Sequence, residues 1–213
     1  RVADAIRYAG QHAQVISCSW NCPINPDLQS AINEVAEGGR GGKGCLVFCA
    51  SGNQGLDQLA FPARHPLAIG VGASNDQGQR PHYSNYGEGL AFVAPSGDHE
   101  RDRPGLTTTD VSLRNRGYNV RGLYTNNFSG TSASTPLAAG IAALLLSAKP
   151  TLSRAQVRSL LEPPADKIDP TEGDYRDGYS LQYGYGRLNA FQALEQAQAT
   201  GRGEAIRQPR LVV

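Results

Sequence analysis

A hydroxyl set where a buried helix begins can do acyl chemistry, and one stretch of this sequence has that form. Phe128-Ser129-Gly130-Thr131-Ser132-Ala133-Ser134-Thr135-Pro136-Leu137-Ala138-Ala139-Gly140-Ile141 runs from a small-residue turn into an apolar segment ending at Ala148-Lys149-Pro150. Gly130 permits a tight turn, and Ser132 falls where the helix starts. Pro136 reads as part of the first turn, whose N–H groups have no intrahelical partner to lose. Those free donors, and the positive end of the helix dipole, suit a developing oxyanion. Residues 137–146 are apolar on every side, which predicts a buried helix rather than an amphipathic one. The same stretch also reads as a Ser/Thr-rich cap on a core helix, and spacing alone favours neither reading.

Other residue types with chemical potential are scattered. Cys18, Cys22, Cys45 and Cys49 could form disulfides or hold zinc. Cys45 and Cys49 lie in Gly44-Cys45-Leu46-Val47-Phe48-Cys49-Ala50, which reads as a buried strand. Four residues of strand span about 13 Å, too far for one bridge or one metal. Buried free thiols are expected, with a Cys18–Cys49 bridge between neighbouring strands as the remaining option. His12 sits at a helix end, His65 in a turn, His82 in a strand-like stretch and His99 in a charged loop. Each reads as structural or solvated. Residues 98–103 form that charged loop, read as a solvated excursion. Its acids could bind calcium but lack a recognisable ligand spacing.

These residues must be positioned by a fold, and 213 residues suffice for one sizeable core. The 25 glycines and 13 prolines imply many tight turns. Twenty basic residues balance 19 acidic ones, which argues for neither nucleic acid nor an anionic membrane as partner. No apolar run reaches bilayer-spanning length, the longest being the helix after Ser132. No signal peptide is visible and the start reads as lying inside a domain, so the compartment stays open.

Val2, Ala5, Ile6 and Ala9 recur at helical spacing, with Gly10 as a C-terminal stop. Residues 14–20 read as a strand. Asn25-Pro26-Asp27 starts a helix with Leu28, Ala31, Ile32 and Val35 on one face, ended by glycines 38–42 before the strand at 44–50. Strand, helix and strand in that order imply a parallel sheet, which places ligands at the carboxyl ends of its strands. The loops there are 19–23 and 51–55. Further strands are expected at 67–73 and 90–95, and 122–128 leads to the Ser132 turn. Ser153 and Gln156 form a capping box for a helix over 154–162. A last helix runs through Ala193, and residues 200–213 read as a tail or linker following a domain at 1–199.

Gly130-Thr131-Ser132-Ala133-Ser134-Thr135-Pro136 resembles the nucleophile motif of the subtilisin-like serine proteases, Gly-Thr-Ser-x-x-x-Pro. The continuation Leu137-Ala138-Ala139-Gly140-Ile141 is most similar to the kexin and furin branch. Ala50-Ser51-Gly52-Asn53-Gln54-Gly55 resembles the family's oxyanion-hole segment, and Ser17-Cys18-Ser19-Trp20 the strand lining its substrate cleft. Tyr183-Gly184-Tyr185-Gly186-Arg187-Leu188-Asn189-Ala190 resembles its closing segment. The resemblance spans roughly residues 13–193, with the blocks in the family's order. It implies an α/β, three-layer subtilisin-like fold: a mostly parallel sheet flanked by helices, with the N-terminal part of the fold outside this chain. It implies Ser132 as nucleophile and Asn53 as oxyanion donor. Substrate-binding positions would be Ser19, Trp20, Asn21, Ser51, Gly52 and Ala60, with Leu59 near the pocket floor. The acids with which the furin branch reads basic side chains are not carried over, because Trp20 is followed by Asn21-Cys22-Pro23-Ile24. An apolar or mixed preference is therefore expected.

The resemblance also shows what is absent. The family's triad runs Asp, His, Ser in chain order, and no Asp or His-Gly-Thr block stands before Ser132. A serine without an imidazole to take its proton is a poor nucleophile. The expectation is a serine endopeptidase acting on polypeptides, completed by an upstream fragment or companion chain carrying the Asp and His. The alternative is a catalytically inactive module that binds peptides or scaffolds a complex. A generic ester hydrolase would need Gly-x-Ser-x-Gly and a downstream His, and has neither here.

Overall fold

The computed structural model describes residues 1–111, 117–119 and 122–199. Helix α1 (Val2–His12) leads to strand β1 (Val15–Cys18), helix α2 (Pro26–Gly42) and strand β2 (Leu46–Ala50). Strands β3 (Ile69–Ser74) and β4 (Leu90–Pro95) follow, then a hairpin of β5 (Leu106–Thr109) and β6 (Tyr124–Phe128). Helices α3 (Thr131–Ala148), α4 (Arg154–Leu161) and α5 (Ala190–Ala199) close the described chain. The four strands β1-β2-β3-β4 are hydrogen-bonded in that order and all run parallel.

Every residue of β2 is buried, because the sheet is covered on both faces. Its side chains alternate between them, as the pleat requires. Val47 and Cys49 join Leu28, Ile32 and Val35 of α2 and Ile6 of α1. Leu46 and Phe48 join Ala138, Ala142 and Leu145 of α3, with Val157 of α4 and Ala193 of α5. The result is three layers: α1 and α2, the sheet, then α3 to α5.

Local signals explain most boundaries. Asn25 caps α2, accepting from Leu28 N–H at 3.0 Å, with Pro26 behind it. Helical backbone stops within the glycine run, where Arg40 takes a φ of 55°. The Ser153–Gln156 capping box forms on α4 as expected. Gly10 does not stop α1, which continues to His12. The stretch around His82 is a turn, not a strand, because Pro81 and the Ser84–Asn85 pair bend it over the sheet end. The loop at 98–103 is not simply solvated, since Asp98 is fully buried.

Two departures concern α3 and the sheet edge. Expected to be buried all round, α3 leaves Leu137, Gly140 and Leu144 exposed along one stripe. It is long and apolar enough to cross a membrane, yet half of it packs within this fold. Next to it β1 pairs with β2 alone, and among the described residues no strand lies on its other edge. Cys18 and Cys49 are register partners on those two strands, and all four cysteines are free. The hydrogen bond between those two thiols, together with burial, pushes Cys49 well above the ordinary thiol range. Cys22 is only half-buried. The tail at 200–213 lies outside the described residues.

Candidate active site

The carboxyl ends of β1 and β2 and the N-terminus of α3 meet at one edge of the sheet. Gly130 precedes the helix with a φ of 86°, a conformation that a side chain would strain, and a Cβ there would stand 3.1 Å from Asn53 Nδ2. The turn delivers Ser132 as the second residue of α3, half-exposed. No acidic residue occupies that first turn, so the positive end of the dipole is not offset locally.

Asn53 is fixed by the residue before Ser132. Its Oδ1 accepts from Thr131 N–H at 2.9 Å and from Thr131 Oγ1 at 2.8 Å. A backbone N–H can only donate, so the amide is oriented with its oxygen toward the helix and its Nδ2 beside Gly130. Ser132 N–H is one of the unpaired donors of a first turn, two residues along from Gly130, beside which Nδ2 lies.

The loop that carries Asn53 is held from behind. Asn85, almost fully buried, accepts through Oδ1 from Gln54 N–H at 2.9 Å and Leu56 N–H at 3.1 Å. Its own N–H donates to Gly52 O, and Ser51 Oγ donates to its carbonyl at 2.9 Å. Gly52 has a φ of 112°, and a Cβ there would collide with the Asn85 amide. Tyr83 braces the other flank. Its hydroxyl accepts from Gly130 N–H at 3.2 Å and donates to Gly97 O at 2.6 Å. Burial is the main force pushing that phenol up. Sequence reasoning missed Thr131, Tyr83 and Asn85 as positioning residues, because each acts on a segment distant in sequence: 78 positions from Thr131 to Asn53, 47 from Tyr83 to Gly130 and 31 from Asn85 to Gln54.

The third wall comes from β1. Ser19 Oγ donates to Ser132 O at 2.9 Å, and Ser132 Oγ donates to Ser19 O at 3.3 Å. Pro136 explains the first bond. It lies in the second turn of α3, not the first as expected, and has no N–H to offer the carbonyl four residues back. Ser19 supplies the missing donor. Of the other positions expected to line a cleft, Asn21 is exposed beyond β1 and Trp20 is half-buried against the core on the α1–α2 side. Ala60 N–H donates to Ser51 O, and Cys22 N–H to Phe61 O, so these segments converge beside Ser132. Leu59 is buried in the core.

No imidazole completes the site among the described residues. His65 is buried and accepts from Leu67 N–H at 3.2 Å. His82 Nε2 lies 2.9 Å from Glu100, and His99 contacts Asn127 O. His12 ends α1 and packs on Tyr8.

Comparison with known proteins gives a consistent picture. The model of the subtilase family matches residues 1–186. A calcium-dependent protease of Nostoc sp. (strain PCC 7120) is 37% identical over 224 residues, covering 92% of this chain and 34% of the relative. Subtilisin Savinase of Lederbergia lenta is 30% identical over 189 residues, covering 89% of this chain and 60% of the relative. The solved structure of the patellamide maturation protease PatA superposes with a TM-score of 0.72 at 27% identity, covering 93% of this chain and 68% of that one. The chain thus spans about a third of the length of the Nostoc relative.

Proposed function

This chain belongs to the subtilase family of serine peptidases, and from that premise we propose that it carries the nucleophile half of a serine endopeptidase. The observation that carries the reading is the Thr131–Asn53 clamp, which turns the Asn53 amide so that its Nδ2 lies beside Gly130, two residues before Ser132. Ser132 Oγ attacks the scissile carbonyl and passes its proton to a base. The carbonyl oxygen, now negative, is held by Asn53 Nδ2 and Ser132 N–H. The base returns that proton to the leaving nitrogen, so collapse expels a neutral amine and leaves an ester on Ser132, which water then cleaves. Substrate lies extended along Ser19, Trp20 and Asn21, with Ser51, Gly52 and Ala60 shaping the side-chain pocket.

The base and its orienting acid come from polypeptide outside these residues, as an upstream segment or a companion chain. Two features support this. The outer edge of β1 is open, and α3 presents the unpartnered stripe Leu137–Gly140–Leu144 beside it. A strand added to β1 and a helix laid on that stripe would bring their own side chains to Ser132. The kexin or furin branch, suggested by residues 137–141, is not needed for this chemistry.

The calcium in the Nostoc relative's name meets no carboxylate cluster among the described residues, where no three His, Cys, Asp or Glu side chains converge. Asp98 has a buried oxygen without a hydrogen-bond partner, but its neighbours are Asn75 Nδ2, Arg101 and His82. That is a donor-rich surrounding for an anion, so no step is derived through calcium.

A pre-steady-state assay on the full-length protein with a peptide nitrophenyl ester tests the proposal. A burst equal to the enzyme concentration, lost in Ser132→Ala, is the expected result. Peptide binding without any burst would instead favour the inactive binding module, the reading to which the absence of a described imidazole at Ser132 lends weight.

A further inference from the structure

A cavity of about 350 Å³ opens beside Asn53 and is lined by Asn53, Tyr83, Ser129, Gly130, His82, His99 and Glu100. It shares two walls with the site, since Asn53 Nδ2 faces Gly130 and Tyr83 OH accepts from Gly130 N–H. Resting on the protease reading above, its place follows from geometry. The acyl half of a substrate occupies the Ser19–Asn21 side, and the carbonyl oxygen points to Asn53. The departing amine must then leave along Ser129 and Gly130, into this cavity.

Its charge is distinctive. Glu100, exposed at 70%, stands 2.9 Å from His82 Nε2, and the other ring nitrogen of His82 is 4.0 Å from Asp98 Oδ1. Asp98 is fully buried, and that oxygen has no hydrogen-bond partner. Arg101 reaches the second oxygen of Asp98 at 3.6 Å, and Glu100 is the exposed carboxylate among the lining residues. No described Lys or Arg lines the cavity. We infer that this cavity receives the side chain of the residue just after the scissile bond and selects a cationic one, through Glu100.

The test is cleavage of internally quenched peptides by the full-length protein at pH 8, where free imidazole is mostly neutral. The peptides differ only at the first leaving-group residue: Arg, Lys, Leu or Glu. The expected kcat/KM for Arg or Lys exceeds that for Leu by about three- to fivefold, the scale of one solvent-exposed ion pair, with Glu slowest. Glu100→Gln brings the Arg-to-Leu ratio near one, and Glu100→Lys inverts the Arg-to-Glu order. Being internal ratios, these are insensitive to how much of a variant folds. Efficient cleavage with equal rates across the series, or ratios unmoved by both substitutions, overturns the inference while leaving the protease reading intact. No cleavage of any peptide overturns both.

Discussion

Pro136 has no N–H, so the carbonyl of Ser132 looks outside its helix for a donor and finds Ser19 Oγ at 2.9 Å. The nucleophile's backbone is thereby tied to the end of β1 by a bond that neither segment reveals alone. Ser19→Ala should cost about 1 kcal/mol of stability, the net worth of such a bond. In a Pro136→Ala background, where residue 136 regains its N–H, the same change should cost markedly less. Thermal or urea unfolding of the double-mutant cycle reads the coupling. Asn53 is the other residue whose role is sharply testable. Asn53→Ala should lower kcat by about 10² to 10³ with little change in KM, the loss known for one oxyanion-hole donor and a figure taken from subtilisins themselves. Equal losses in binding and turnover would count against that role.

At the level of elements, the strand–helix–strand pattern and the turn before α3 were readable because each signal is contiguous: a cap, an apolar run, a glycine stop. Ser132 and Asn53 were readable for the same reason, each lying in an unbroken motif. What the sequence hid were contacts between distant segments. The burial of Asp98 in a loop dense with charge follows from Asn75, 23 residues away, donating to it at 3.3 Å. The exposed stripe on α3 was also hidden, because composition cannot say which apolar face finds a partner. The segment joining α4 to α5 holds a further property, a stacked pair of tyrosines, Tyr175 and Tyr183, 6.3 Å apart. Burial pushes Tyr175 up to about 12, and burial with the Asp169 hydrogen bond pushes Tyr183 higher still. Below pH 10 both states keep these protons and nothing is lost. Above it the unfolded phenols ionise first, so stability falls as pH rises from about 10 toward 12. Tyr175→Phe should flatten that fall in melting temperature measured between pH 9 and 11.5.

At the scale of the molecule, the sheet ends at β1 among the described residues, and α3, which packs on β1, exposes an apolar stripe. Open parallel edges and unpartnered apolar faces are liabilities that proteins normally cover. We propose that the base Ser132 requires and the cover β1 and α3 require are the same polypeptide. Its arrival would turn a serine hydrogen-bonded to Ser19 O into a nucleophile. Mass-spectrometric mapping of fluorophosphonate adducts tests this most directly, because the reagent needs an activated hydroxyl and not merely an exposed one. The account predicts a single adduct on Ser132 in the full-length protein, or in this chain joined to the polypeptide bearing the Asp and His, and none on this chain by itself. A folded, complete protein that stays unmodified at Ser132, or carries its adduct on another residue, would contradict it.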